Sequence, residues 1–468
     1  MTRVHSSAFV AVLIAAAFLR LHNVGEPALN NDEIAEVQWS SGSLPEMFEM
    51  LRHDKVHPPL DYLVQYVIGK AGAPEWVRRL PPALFSIATV GFLMLLGRWW
   101  HSPAAGLLAG IFLAVSPMHV RYSQEVRPYA MGVFFLAGSL AALELYAMTG
   151  RRRWAVTWSA SVFLAGATLY MAGVVAVIAS AARLLASTDT FRPLLRRAPL
   201  IVLGWTILYA PWLGVVISAA RRPPPAAAER LNWPWWQHRL QAFGTGTEFY
   251  EPISIGSWAL WLSVLIGLLA AIRIRLLRTA ALWILGGGAA TIIILQLRPH
   301  YAFVPRYFLP AMTAAAILAG AGLVTLARWW PGRAAAPVVL AAYLLFAGIT
   351  LVWYYDHGRS DWRAVARYVH ERVRPGETVI LTNNWVIRNF GFYWLRLPER
   401  DGVNVERFVA GSRDVTGPVW VVTGHCRPGE SLETAGMMWR HEPTEQAKVY
   451  YVRPGEDLPI SRELCAEL

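Results

Sequence analysis

Apolar runs recur along the chain from its N-terminus to about residue 353. They cover residues 7–21, 80–96, 104–118, 129–147, 154–170, 172–187, 199–218, 255–272, 280–297, 308–327 and 337–353. Each is about twenty residues or slightly fewer, close to the length that crosses a bilayer core as a helix. The pattern predicts about eleven crossings, with the N-terminus inside and the C-terminus outside. Each short inner loop carries arginine: Arg98, Arg151 to Arg153, Arg192, Arg196 and Arg197, Arg273, Arg275 and Arg278, then Arg328 and Arg333. The long and acidic loops fall on the other side, as the positive-inside rule requires. Residues 1–22 resemble a secretory signal, but no small-x-small cleavage site follows, so an uncleaved first helix is expected.

Two regions break the pattern. Residues 23–79 form a long loop, placed outside, in which 32–52 mixes charged and apolar positions like a surface helix. His57-Pro58-Pro59 then opens another helix, since proline suits a helix first turn. Its apolar set is Leu60, Leu63, Val64, Val67 and Ile68, with Asp61 and Gln65 on the other side. About fourteen residues at about 1.5 Å each cannot span, so this helix is expected to lie along the outer interface. Beyond residue 353 the composition is that of a globular domain. A helix over 361–374 and strands at 378–381, 419–422 and 448–452 predict a small α/β module. The expected organisation is a membrane domain over 1–353 and an extracytoplasmic α/β domain over 354–468.

Composition agrees with a polytopic membrane protein. Hydrophobic residues make up 55% of the 468 and charged residues 16%. The net charge of +12 does not point to nucleic acid, because the excess is arginine in short loops and the only lysines are Lys55, Lys70 and Lys448. Cys426 and Cys465 both lie in the C-terminal part, where an oxidising compartment would permit a disulfide. That part carries no phosphate loop, metal-ligand cluster or nucleophile motif.

The groups that can do chemistry gather in three outer loops. The first holds Asn30-Asn31-Asp32-Glu33, Asp54, His57 and Asp61; the second, Arg121, Glu125 and Arg127; the third, Arg298, His300 and Arg306-Tyr307. Asp32 and Glu33 fit a helix first turn capped by an asparagine. They equally fit a general base for a hydroxyl nucleophile. Adjacent positions on a helix diverge by about 100°, so the two acids would differ in role. His57 is either a structural turn or a hydrogen-bonding group for phosphate or sugar. Glu125 and Arg127 are either an ion pair or part of a site. Arg306 either snorkels to the interface or holds a phosphate with its fixed guanidinium fork. Trp233-Pro234-Trp235-Trp236 fits an interfacial aromatic belt, or stacking on sugar or lipid. Glu144, near an inner helix end, reads as structural.

Taken together, the acidic pair after the first helix, His57-Pro58-Pro59-Leu60, Arg79-Leu80-Pro81-Pro82-Ala83-Leu84-Phe85-Ser86, and Ser116-Pro117 with Tyr122-Ser123-Gln124-Glu125-Val126-Arg127-Pro128-Tyr129-Ala130 resemble the GT-C glycosyltransferases. The nearest branch is that of the protein O-mannosyltransferases and aminoarabinose transferases. The similarity spans most of residues 20–150 and returns weakly at Pro305-Arg306-Tyr307-Phe308-Leu309-Pro310. Thr168-Leu169-Tyr170-Met171 departs from the Thr-His-Tyr of many bacterial relatives. The resemblance implies an inverting transferase that uses a polyprenyl-phosphate sugar on the outer face of a bacterial cytoplasmic membrane. The acceptor would be a lipid, a glycan or a protein. It makes Asp32 the favoured base, with Glu33 and Glu125 as further catalytic acids. His57, Arg127, Arg306 and Tyr307 fall near the donor phosphate. Some relatives use a divalent cation, for which Asp32, Glu33 and Glu125 are the available ligands.

A transporter and a non-catalytic subunit of an envelope-glycan assembly system are the rivals from other classes. Transporters carry polar groups near the bilayer midplane. In this chain the ionisable groups gather toward one face, which favours an interfacial enzyme.

Overall fold

The computed structural model describes residues 3–220, 254–297, 305–329, 331–357, 361–382, 384–407, 417–423, 434–438 and 448–452. Cys426, Cys465, Arg298, His300 and the Trp233 to Trp236 cluster lie outside these residues.

The chain is a mainly helical polytopic membrane protein. Its order begins with α1 (Arg3–Leu21), α2 (Asn31–Trp39), α3 (Leu44–Asp54), α4 (Leu60–Lys70) and α5 (Glu75–Arg78). The bundle continues with α6 (Leu80–Trp100), α7 (Pro103–Ala114), α8 (Pro117–Arg121), α9 (Tyr129–Thr149), α10 (Arg152–Thr168), α11 (Tyr170–Ala186) and α12 (Thr188–Ala220). Then come α13 (Ser254–Arg273), α14 (Leu277–Leu297), a 3-10 turn (Pro305–Phe308), α15 (Leu309–Ala327) and α16 (Gly332–His357). Each apolar run of the sequence has its helix. By length and composition, 6 helices among the described residues can cross a membrane, and shorter apolar helices include Ser6–Leu21, Pro103–Ala114, Tyr170–Ala186 and Ser257–Arg273.

Two compact units divide the chain: Met1–Val24 with Trp39–Leu351, and Gly25–Gln38 with Val352–Leu468. The stretch bearing Asp32 and Glu33 thus belongs with the C-terminal part, not with the membrane part in which the sequence pattern places it. Ile34, Ala35 and Val37 are buried, and the Leu29 N–H donates to the Tyr393 hydroxyl at 2.7 Å.

Local chemistry sets the helix ends. The surface helix expected over 32–52 is two helices, because Ser43 starts a new one. Its hydroxyl accepts from the Glu46 N–H, and the Glu46 carboxylate accepts from the Ser43 N–H, a reciprocal capping box. The apolar run over 104–118 likewise breaks: α7 ends at Ala114, and Ser116-Pro117 caps and opens α8. In α4 the burial is the inverse of that in a water-soluble amphipathic helix. Asp61, Tyr62 and Gln65 are buried and Val67 is exposed. An interfacial helix turns its apolar side to acyl chains, and in α4 the opposite side packs on protein.

Within the membrane unit, α15 is the most enclosed helix. A Cβ on Gly320 would stand 2.5 Å from the Ala105 carbonyl oxygen, so glycine permits the close approach of α7. Glu144, expected to be structural, is buried and ion-paired with Arg183, accepting from Arg183 Nε and, at 2.9 Å, from Nη2. It also accepts from Trp100 Nε1 at 2.6 Å, so one carboxylate ties α6, α9 and α11.

The second unit contains α17 (Trp362–Arg372), α18 (Asn384–Trp394) and a sheet of β1 (Thr378–Leu381), β2 (Asn404–Arg407), β3 (Val419–Thr423), β4 (Thr434–Met438) and β5 (Lys448–Val452). The strand order is β2-β1-β3-β5-β4, with β1 parallel to β2 and β3, and β5 antiparallel to β3 and β4. Strands β2 and β4 have no apolar alternation in the sequence and are added by pairing. Glu377 is buried here, accepting from Trp420 Nε1 at 2.8 Å and the Tyr451 hydroxyl at 3.0 Å.

Candidate functional site

In the membrane unit, α3 is capped by Lys55, which adopts the left-handed conformation at φ 62 and donates its N–H to the Leu51 carbonyl. That reversal delivers Val56 and His57 ahead of α4. The His57 side chain is buried, and Arg127 Nη2 lies 2.7 Å from its Nε2. Its ring stands edge-on to Tyr129 at 5.9 Å, and the Arg127 guanidinium lies over the same Tyr129 ring at 5.9 Å. Arg306, on the 3-10 turn, lies over the Tyr307 ring at 5.7 Å.

The electrostatics fix the state of the imidazole. Burial first, then the charges of Arg127 and Arg306, hold His57 well below the usual histidine range, so it is neutral at pH 7. A guanidinium can only donate, so Nε2 accepts from Arg127 and the ring proton sits on Nδ1. That Nδ1 is buried and has no hydrogen-bond partner among the described residues. A buried donor in this condition is costly unless a ligand satisfies it.

His57 lines a cavity of about 690 Å³. Val162, Leu169, Val174, Leu213 and Leu295 make its wall apolar, while Lys55, Tyr170 and Tyr307 join His57 as polar lining groups. The result is an apolar chamber with a cationic, donor-rich end, suited to an amphiphile with an anionic head.

Glu125 is buried in the loop before α9 and pairs with Arg121 at 3.5 Å. The Arg127 N–H donates to the Glu125 carbonyl at 2.8 Å. In the second unit, Glu33 accepts from the Asn30 N–H at 3.0 Å, and its own N–H donates to Asn30 Oδ1 at 2.9 Å. Glu33 is therefore half of a capping box, buried and committed to the start of α2. Asp32, one position earlier, is partly exposed.

The structure thus gathers His57, Arg127, Arg306 and Tyr307 in the membrane unit, with Glu125 close along the chain, and sets Asp32 and Glu33 in the other unit. Among the described residues no group of three His, Cys, Asp or Glu side chains comes together to hold a metal. Lys55 was missed from sequence, although a lone lysine two residues before His57 in an arginine-rich chain was the available signal. Arg20, His119 and Gln124, which tie the loop before α9 to α1, were missed as well.

The fold of the chain is shared with solved polytopic membrane proteins. A family profile described as dolichyl-phosphate-mannose-protein mannosyltransferase matches residues 56–215, the stretch with His57, Glu125 and Arg127. Among solved structures, the chain is similar to ArnT from Cupriavidus metallidurans bound to undecaprenyl phosphate, at TM-score 0.55 and 16% identity over 96% of this chain and 98% of that one. It is similar to the Archaeoglobus fulgidus oligosaccharyltransferase in its apo form, at TM-score 0.54 and 12% identity over 84% of this chain and 64% of the other. The mycobacterial arabinofuranosyltransferase AftD aligns at TM-score 0.51 and 13% identity over 98% of this chain and 40% of its own length. No curated protein matches the sequence.

Proposed function

We propose that the chain is an inverting glycosyltransferase that moves a sugar from a polyprenyl-phosphate donor to a hydroxyl or amine acceptor at the outer face of a bacterial cytoplasmic membrane. The observation that carries this is the buried, neutral His57, held by Arg127 and within the field of Arg306, in a cavity whose wall is mostly apolar. The isoprenoid occupies the apolar chamber. Its phosphate meets the His57 Nδ1–H, the guanidiniums of Arg127 and Arg306, and the Lys55 ammonium. Tyr307 lines the same chamber.

In the reaction, Asp32 takes the proton of the acceptor as the acceptor oxygen or nitrogen attacks C1 of the sugar. The bond from C1 to the phosphate oxygen breaks, its electrons pass to the phosphate, and configuration at C1 inverts. Arg127 and Arg306 stabilise the charge that grows on the departing phosphate. The capping geometry favours Asp32 over Glu33, because Glu33 is engaged in holding α2. Glu125 orients the loop beside the donor and supplies negative charge toward the oxocarbenium-like sugar.

The lipid half of this reading is tested by binding. Polyprenyl phosphate should be retained by the purified protein in native mass spectrometry and lost when Arg127 and Arg306 are both changed to methionine. Equal retention by the double variant would remove the phosphate assignment.

A further inference from the structure

We infer that Arg20 is the positioning residue that sets the 116–127 loop, and through it Glu125 and Arg127; the bearing on catalysis rests on the transferase reading above. Arg20 lies one residue from the end of α1 and is fully buried. All three of its nitrogens donate. Nε reaches Ser86 Oγ at 2.5 Å, and Nη1 reaches the Ala16 carbonyl at 3.1 Å and the Ala114 carbonyl at 2.9 Å. Nη2 reaches the Leu113 carbonyl at 3.1 Å and His119 Nδ1 at 2.9 Å.

The need for this residue follows from α7. That helix has 12 residues and ends inside the bundle, where its last carbonyls have no helical partner. At membrane depth such groups must be satisfied by protein. Arg20 satisfies Leu113 and Ala114, and the negative ends of α1 and α7 stabilise its charge. Gln124 returns the favour. Its side-chain amide donates to the carbonyls of Leu19 at 3.4 Å, Arg20 at 3.1 Å and His22 at 2.8 Å, capping α1.

Helix α1 therefore holds the start of the loop through Arg20 and His119, and the loop holds the end of α1 through Gln124. Glu125 follows Gln124 directly and Arg127 comes two residues later, with its Nη2 2.7 Å from His57 Nε2. A planar fork with donors on three nitrogens is required; a lysine ammonium on the same stem cannot meet Ser86, two carbonyls and His119 together.

The test uses the full chain in lipid nanodiscs, with Arg20→Met, Arg20→Lys, Gln124→Leu and the Arg20→Met/Gln124→Leu double variant. Arg183→Met, at a buried arginine of another network, is the control for plain destabilisation. Arg20→Met should lower kcat about 100-fold by misplacing the loop. Arg20→Lys should recover only part of that loss, and the double variant should be no worse than Arg20→Met, since both changes release one loop. Amide exchange should quicken across 116–127 in Arg20→Met and Gln124→Leu. Arg183→Met, at a similar loss of melting temperature, should keep its kcat and its exchange in that loop. Unchanged exchange over 116–127, or a kcat that simply follows melting temperature in both arginine variants, would overturn the inference. If Arg20→Met does not fold, Gln124→Leu decides by the same two readouts. Absence of transfer by the unaltered protein would count against the transferase reading alone, and exchange would still decide whether Arg20 sets the loop.

Discussion

Arg127 Nη2 lies 2.7 Å from His57 Nε2, joining the loop before α9 to the turn before α4 across 70 positions of sequence. Because the arginine can only donate, the contact also decides which histidine nitrogen carries the proton. A neutral imidazole with its N–H on Nδ1 is prepared to donate to an oxygen without adding charge.

Replacing His57 by phenylalanine keeps the packing on Tyr129 and removes the donor. A hydrogen bond to a charged group contributes about 1.5–3 kcal/mol, so affinity for polyprenyl phosphate should fall about tenfold or more. Titration of the wild type and His57→Phe with the lipid phosphate, followed by native mass spectrometry, measures this. Equal affinities would leave His57 as a structural turn.

The same histidine predicts an acid limb. His57 is held well below the usual histidine value, by burial first and then by Arg127 and Arg306. The unfolded chain takes up this proton below about pH 6.5 while the folded protein does not. Stability is therefore full above about pH 6.5 and declines as pH falls toward the folded-state value. Melting temperatures between pH 5 and 8 should show this slope, and His57→Phe should show a shallower one. A slope of the opposite sign would contradict the neutral assignment.

The two adjacent acids should separate cleanly. Glu33→Ala removes a capping-box partner and should cost about 1 kcal/mol of stability. Asp32→Asn should leave the melting temperature close to wild type while stopping transfer. Thermal unfolding and sugar transfer measured on both variants would reveal a reversed pattern, in which Glu33 is the base and Asp32 the cap.

The Glu144–Arg183 pair is buried in the membrane unit and should behave as a staple. Removing one partner strands the other charge, at a cost of about 3–5 kcal/mol. Glu144→Ala should therefore lower the melting temperature sharply, and the double change to Glu144→Leu and Arg183→Met should recover part of the loss. If the double variant is as unstable as the sum of the singles, the pair is not coupled.

The helices of the membrane unit were legible because a bilayer demands long apolar runs and arginine marks the loops between them. The break after α7 was less so, since Ser116-Pro117 looks like a loop start rather than a helix ending inside the bundle. The inverse burial of α4 could not be read from periodicity, which locates an apolar face without saying whether protein or lipid covers it. His57, Arg127 and Arg306 were nameable by residue type and motif, but their convergence depends on packing between segments far apart in sequence. Glu33 as a cap was one of two open readings, and its hydrogen bonds to Asn30, which residue type alone does not show, support it. Arg20 sits inside the apolar run over 7–21 with no motif around it; its role appears only when the carbonyls of Leu113 and Ala114 are found beside it.

The most direct measurement is transfer of a labelled sugar from a polyprenyl-phosphate donor by the purified protein in proteoliposomes, run beside Asp32→Asn. The unaltered protein should consume the donor, release polyprenyl phosphate and label an envelope acceptor. The variant should be slower by about 10²–10⁴-fold, the range set by loss of a general base. Equal rates in the two proteins, or no transfer from any polyprenyl-phosphate sugar by the unaltered one, would contradict it.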